Sequence, residues 1–392
     1  MKAYKTEIKP TRKQIHLIHQ TCGNVRYIYN QYLASNFERL KKKEPLLSGY
    51  NFSKLVNHDH ETPSWLKLAS SKAIKQAIMH ADRAFRDYLK GSKGRPQFKT
   101  KSKHNSFYLI GTIKVERHRI FLPTLKWVRL KEYGYLPKDV TSVTVSVKNG
   151  RYYVSCLSKI ETNERIATSS EGLGIDFGLK DAFITKDQII SSINKSPKVR
   201  KLEKKLRQKQ RSLSRRYEAN TTNKVYYKTG QKKGQLKSFK WRRPLQDCKN
   251  LQKRQFEVNK LHERLTRIRT DYNQKMLQSL LNRKPRFITI EDLNVKGLMK
   301  NRHLAKAIAH AQWYQSRLFL QHQCGKLGIE LRAASRFYPS SKLCSACGYK
   351  HVDLKLKDRT WTCPACQIVH DRDQNAAINL EHCKDYTILT TV

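Results

Sequence analysis

Apolar and polar positions change their rhythm several times along the chain. Residues 1–10 read as a short strand that Pro10 ends. From Thr11, a residue suited to an N-cap, the positions Ile15, Ile18, Thr21 or Cys22, Val25, Ile28 or Tyr29, and Tyr32 follow a helical period. A second stripe, Ile74, Ala77, Ile78, Ala81, Phe85 and Leu89, predicts a helix over 71–89. Residues 11–90 are therefore expected to form a small helical domain. Residues 90–103 (KGSKGRPQFKTKSK) form a basic Gly/Ser/Pro linker, suited equally to a solvated tether and to a phosphate contact.

The period then drops towards two. Short strands are expected at 107–110, 112–115, 119–122 and 127–130. Val143, Val145 and Val147 alternate up to Asn149-Gly150, and Tyr152, Val154 and Cys156 alternate after it, which is a strong hairpin signal. These strands suggest a small antiparallel barrel. Residues 1–10 would supply one more strand, making the helical segment an insertion.

From Gly172 the chain reads GLGIDFGLKDAFITKD, a strand, a Gly turn and a strand. A basic helix near 198–216 holds ten Lys or Arg and one acid, Glu203, with Val199, Leu202, Leu206 and Leu213 as its seam. Val258, Leu261, Leu265, Ile268 and Tyr272 then step 3, 4, 3, 4, so the two helices should pair as an antiparallel hairpin over about 197–282. The polar, basic segment 219–244 between them reads as a mobile loop. FITIEDL, beginning at Phe287, is an alternating strand. A long helix over 304–327 and a strand over 329–334 follow, and DRDQNAAINL opens a last helix.

Charge narrows the function. The 392 residues carry 80 Lys and Arg against 31 Asp and Glu, a net +49, far beyond the charge of about 2–8 that solubility asks of a small domain. A polyanion is the expected partner, and nucleic acid the obvious one. No run approaches the roughly 20 apolar residues of a spanning helix, and no secretory signal is read at the start. A membrane partner is not expected, and the cytoplasm is the expected compartment.

Nine cysteines are present. Cys22, Cys156, Cys248, Cys324 and Cys383 are scattered and read as ordinary thiols. Cys344-x2-Cys347 and Cys363-x2-Cys366, with fifteen residues between the pairs, have zinc-ribbon spacing. Four thiolates leave no open position, so one Zn²⁺ here would hold structure and do no chemistry.

Acids are scarce enough for their positions to matter. Asp176 follows Leu173-Gly174-Ile175, Glu291 ends Phe287-Ile288-Thr289-Ile290, and Asp371 and Asp373 open the last helix. Strand alternation sends Asp292 to the face opposite Glu291. Hydrolysis of a phosphodiester requires neutralisation of charge at the attacking and leaving oxygens. Two Mg²⁺ about 3.5–4 Å apart, clamped by carboxylates, provide it.

GIDFGLK, FITIEDL, FYPSSKLCSACG, WTCPAC and DRDQNAAINL together resemble the signature blocks of the TnpB family, the transposon-encoded, RNA-guided DNA endonucleases related to type V CRISPR effectors. RPQFK, with Gly94 before it, is similar to that family's G-x-P-x-F-K pattern. The resemblance spans the chain and is most specific in its C-terminal half. It implies a multidomain α+β protein. A wedge-type β-barrel (1–10 and 91–168) would be interrupted by a helical recognition domain (11–90). A RuvC-like nuclease domain with the RNase H fold (169–338 and 368–392) would carry a zinc-ribbon target-nucleic-acid-binding insert (339–367).

Carried over by residue, the resemblance makes Asp176 the first acid, Glu291 the second and Asp373, in the Asp-x-Asn-Ala-Ala block, the third, with Asp371 as the alternative. It further implies a monomeric protein that binds a guide RNA from the transposon end and cuts double-stranded target DNA beside a short flanking motif. A nuclease-inactive RNA-guided regulator and a compact type V CRISPR effector would share these blocks. A DNA-joining transposase fits less well, since its acids usually run Asp, Asp, Glu.

Overall fold

The computed structural model describes residues 2–58, 63–159, 167–231, 233–355 and 357–389. They fall into two compact units of a mixed α+β protein, Met1–Glu161 and Thr162–Val392. Among the described residues no helix is long and apolar enough to cross a membrane.

The first unit runs β1 (Lys2–Lys9), α1 (Arg12–Lys42), α2 (Gly49–His58), α3 (Ser71–Leu89), β2 (Ser106–Ile110), β3 (Lys114–Val115), β4 (Arg119–Leu122), β5 (Lys126–Leu130), β6 (Val140–Lys148) and β7 (Arg151–Ser158). Thr11 caps α1 through a reciprocal box. Its hydroxyl accepts from the Gln14 N–H at 3.3 Å, and the Gln14 side chain accepts from the Thr11 N–H at 3.0 Å. The strands form one antiparallel sheet in the order β2-β6-β7-β1-β5-β4-β3. Asn149 and Gly150, both at positive φ, make the tight turn between β6 and β7. Among the described residues no ladder joins β2 to β3, so the expected barrel is seen as an open sheet. Residues 160–166, expected to belong to it, lie outside the described residues. The linker is no free tether. Asn30 exchanges hydrogen bonds with the Lys99 backbone at 2.8 and 3.0 Å, Lys99 lies 3.7 Å over Tyr29, and Arg95 lies 4.3 Å over Phe37.

The second unit runs β8 (Gly172–Ile175), β9 (Asp181–Ile184), β10 (Ile189–Ser191), α4 (Pro197–Ala219), β11 (Thr221–Tyr226), β12 (Leu236–Trp241), α5 (Lys249–Leu281), β13 (Phe287–Glu291), α6 (Val295–Leu298), α7 (Ala305–Ala311), α8 (Trp313–Leu327), β14 (Glu330–Ala334), β15 (Thr360–Thr362), β16 (Val369–Asp371), α9 (Arg372–Glu381) and β17 (Tyr386–Ile388). Its main sheet has the order β17-β14-β13-β8, with β8, β13 and β14 parallel and β17 antiparallel at the edge. A bridge between Asp176 and Ile184 attaches the β9–β10 hairpin to the end of β8. Alternation assigns the two faces. Leu173, Ile175, Ile288, Ile290 and Leu331 pack with Leu277, Leu280 and Leu281 of α5 and with Leu320 and Cys324 of α8, while α9 lies against Gly174.

Two sequence expectations need correction. The helix expected over 304–327 is broken at Gln312, which takes a left-handed backbone (φ 58°) between α7 and α8. Its cause lies on α5: Asn273 donates to the Ala311 carbonyl at 2.9 Å, and Thr270 donates to the Gln312 side chain at 3.1 Å. Neither partner is visible in the local pattern. The segment expected as a mobile loop contains the β11–β12 ribbon instead, with Thr221 opposite Trp241. Trp241 packs edge-on to Phe239 with ring centres 4.7 Å apart.

The α4–α5 hairpin has an apolar seam of its own, Val199, Leu206 and Leu213 against Leu251, Val258 and Leu265. Its base is tied by Arg269, which is buried and donates to Glu203 at 2.6 Å and to Asn194 at 2.7 Å. Arg269→Met is expected to cost about 2–3 kcal/mol, less than for a fully buried pair because Glu203 keeps some contact with solvent. Chemical unfolding of the intact protein would measure this, and an unchanged midpoint would refute it.

Candidate active site and metal centre

Two of the acids are placed by neighbouring parallel strands. Ile175 of β8 is in register with Ile290 of β13, so Asp176 and Glu291 leave the sheet side by side at the C-terminal ends of these strands. The third comes from α9, which can lie close to β8 because position 174 is glycine. A Cβ there would stand 2.0 Å from the Ala377 carbonyl oxygen and 2.6 Å from the Glu381 nitrogen. Backbone cannot yield as a flexible side chain does. Gly174→Ala is therefore expected to push α9 away, cost about 3 kcal/mol and displace Asp373 from the other acids. Thermal unfolding measures the cost, and an unchanged midpoint would refute it.

The structure brings Asp176, Glu291 and Asp373 into one electrostatic group. Burial pushes the Asp176 carboxyl well above the usual carboxylate range. The charges of Glu291 and Asp373 raise it further, against Arg372 and a hydrogen bond from the Phe177 N–H. Glu291 is also raised, first by burial and then by Asp373, although the Ser340 hydroxyl donates to it at 2.7 Å and opposes the shift. Asp373 is held by Arg359 at 2.9 Å and Arg372 at 3.1 Å. Asp371 does other work. Its carboxylate caps α9, accepting from the N–H groups of Asp373 at 3.0 Å and Gln374 at 2.9 Å. Asp292 points elsewhere, to Arg317 and Arg336, each at 2.8 Å.

Among the described residues, the four cysteines are the one group of three or more possible ligands whose ligating atoms all lie within 4.8 Å of one another. The three acids are more loosely gathered, as expected of carboxylates that repel one another while Asp373 is engaged by two arginines. They are hard oxygen donors, a donor set suited to Mg²⁺.

Cys344, Cys347, Cys363 and Cys366 come together as two matching knuckles. In each, the residue after the second cysteine has positive φ and its N–H bonds the first cysteine's carbonyl at 2.9 Å: Gly348 (φ 78°) in one, Gln367 (φ 61°) in the other. Cys344 and Cys366 have their sulfurs 3.6 Å apart, as do Cys347 and Cys363. Tetrahedral zinc with bonds of about 2.3 Å needs sulfurs about 3.8 Å apart, so the group fits the ion. Burial pushes the Cys363 thiol up. The N–H groups of Cys366 and Ala365, with the neighbouring thiols, outweigh it and bring it to about 7. At Cys347 the Tyr349 N–H opposes burial and the neighbouring thiols, which push it up to about 12, as in a set of thiols that share protons. Cys22, Cys156, Cys324 and Cys383 are buried single thiols, and Cys248 is half-buried.

Several residues that join the cysteine module to the acids escaped the sequence reading. His370 places Nε2 3.0 Å from the Cys344 sulfur, its ring against Trp361 at 4.9 Å. Asn375 accepts from the Ser345 N–H at 2.9 Å and donates to the Leu343 carbonyl at 2.6 Å. Asn379, one turn on, donates to the Ser340 carbonyl at 2.7 Å and so steadies the hydroxyl partner of Glu291. Two asparagines four apart in the last helix were the available signal. Arg359 and Ser340 lie in the module and its approach, where only the tertiary fold reveals their partners.

The Cas12f1-like TNB domain family matches residues 313–380, and a helix-turn-helix domain family matches residues 1–44. The latter stretch folds here as β1 and the single 31-residue helix α1. A Streptomyces pristinaespiralis protein named as an RNA-guided DNA endonuclease is 30% identical, covering 97% of this chain and 88% of its own. The Escherichia coli protein InsQ, with the same kind of name, is 25% identical over 97% of this chain and 91% of its own. An Acanthamoeba polyphaga mimivirus TnpB-like protein, L79, is 26% identical over 66% of this chain and 46% of its own. With a relative this similar along nearly its whole length, and with the acids and cysteines placed as described, the chain belongs to the TnpB-like family of RNA-guided DNA endonucleases.

Proposed function

We propose that this protein is a Mg²⁺-dependent, RNA-guided DNA endonuclease encoded by a transposable element. The second unit then acts as the RuvC-like nuclease with an RNase H fold, and residues 339–367 as its zinc-ribbon insert. The wedge is residues 1–10 and 91–168, all but its last few residues in the first unit, with residues 11–90 as the recognition domain. One observation carries this reading: Asp176 and Glu291 leave neighbouring parallel strands side by side at their C-terminal ends, and α9, packed on Gly174, brings the charge of Asp373 to bear on both. Carboxylates that are buried and close together cost stability unless cations join them.

Asp176, Glu291 and Asp373 are the residues that would hold Mg²⁺, and Cys344, Cys347, Cys363 and Cys366 those that would hold Zn²⁺. Bound there, two Mg²⁺ supply an activated water and neutralise charge on the leaving oxygen. The chain does the rest. Ser340 orients Glu291, the Asp371 cap fixes the start of α9, and Arg359 and Arg372 hold the Asp373 carboxylate in place. Lysines and arginines along α4 and α5 track the nucleic-acid backbone, and base pairing with a guide RNA from the transposon end reads the sequence.

The test is to sequence the RNA that copurifies with the protein, then offer double-stranded DNA matching it beside varied flanking bases, with Mg²⁺ or with a chelator. The expected result is one defined transcript and cutting with Mg²⁺ alone. Absence of bound RNA, or cutting indifferent to the match, would overturn the reading.

A further inference from the structure

We propose that the second unit carries a subsite for a nucleotide base beside the three acids, one that takes the base next to the scissile phosphate in an unpaired DNA strand. It rests on the endonuclease reading and deepens it. A cavity of about 260 Å³ has Glu291 in its wall, so it shares a residue with the carboxylate group. Phe177 and Trp313 line it and are buried, and the Trp313 indole N–H is committed to the Gly178 carbonyl at 3.3 Å, which fixes that ring. Tyr314 also lines it but is 56% exposed, a ring left open to solvent.

The charge around this aromatic cavity suits a nucleotide. Arg317 and Arg336 both line it and share the single carboxylate of Asp292. Two guanidinium groups against one acid leave a positive charge, and each guanidinium has N–H donors beyond the one bonded to Asp292. Aromatic surface for a planar ring, cationic donors for its phosphate and a wall that includes Glu291 are the parts of a stacking site for single-stranded nucleic acid. An acidic peptide would meet the same arginines, but it has no planar base to engage the rings and no phosphodiester to present to Glu291.

The experiment uses the RNA-loaded protein with Ca²⁺ in place of Mg²⁺. The probe is guide-complementary DNA whose single-stranded extension carries 2-aminopurine at one position at a time. Quenching is expected at the nucleotide adjoining the cut. Tyr314→Ala should abolish that quenching and, with Mg²⁺, raise KM about tenfold with little change in kcat, while Tyr314→Phe keeps wild-type behaviour because the ring is what matters. Tyr314 is exposed, and an unchanged thermal midpoint would show that the variant folds. Quenching at no position, or equal quenching and KM in wild type and Tyr314→Ala, would overturn the subsite. A wild-type protein that cuts no matched DNA would instead overturn the endonuclease reading, and the quenching assay needs no cutting.

Discussion

Asp176→Ala in the RNA-loaded protein is expected to lower DNA cutting by at least about a thousandfold, with RNA binding within about twofold of wild type. The asymmetry follows from position. Asp176 sits at the end of β8 among the acids, whereas the charge that attracts RNA is spread over many lysines and arginines. Cleavage that survives the substitution would remove the acid from the reaction. A second signal comes from the metal-free protein. Asp176 and Glu291 are raised in the native state, mainly by burial, so folding favours their protonated forms. Their contribution to stability is full below the unfolded carboxylate values near 4 and is lost as pH rises through the raised native ones. Asp176→Asn should therefore raise the unfolding midpoint at neutral pH without metal and flatten its decline with pH. Added Mg²⁺ should stabilise the wild type more than Asp176→Asn. Equal pH profiles for the two proteins would show that the acids do not strain the fold.

Removing zinc is expected to have the second large effect, on structure and chemistry together. Cys363→Ser, or chelation, should release one equivalent of zinc, open residues 340–370 to proteolysis and reduce DNA cutting at least about a hundredfold. The module reaches the acids by three routes: Arg359 pairs with Asp373, the Ser345 N–H bonds Asn375 on α9, and β16 ends at Asp371, the cap of that helix. Loosening the knuckles releases all three. The first unit has its own core and should keep its thermal transition. Full activity in a zinc-free preparation would show that the acids are placed without the module.

Local chemistry made part of this molecule readable in advance. The Asn149-Gly150 turn, the Thr11 cap, the heptad seam of α4 and α5 and the paired cysteine spacing each depend on neighbours in sequence, and each appears in the fold. Asp176 and Glu291 were legible because short apolar strands end at them. The choice between Asp371 and Asp373 was open in the sequence, since both open the same helix. Only the fold shows one carboxylate spent on capping and the other paired with arginines, near enough for its charge to act on Asp176. The break at Gln312 escaped for a similar reason. No proline or glycine marks it, and the groups that impose it, Thr270 and Asn273, come from another helix. The β11–β12 ribbon was missed because β12 buries neither face, so no alternation of apolar and polar residues betrays it.

The self-contained seam of the α4–α5 hairpin gives the family a part that can change length cheaply. Adding or deleting one heptad in each helix would move its far end by about 10 Å and leave every residue around the acids where it is. Such a strut could lengthen or shorten between relatives to suit nucleic acids of different girth, and an engineer could trim it as a ruler is cut.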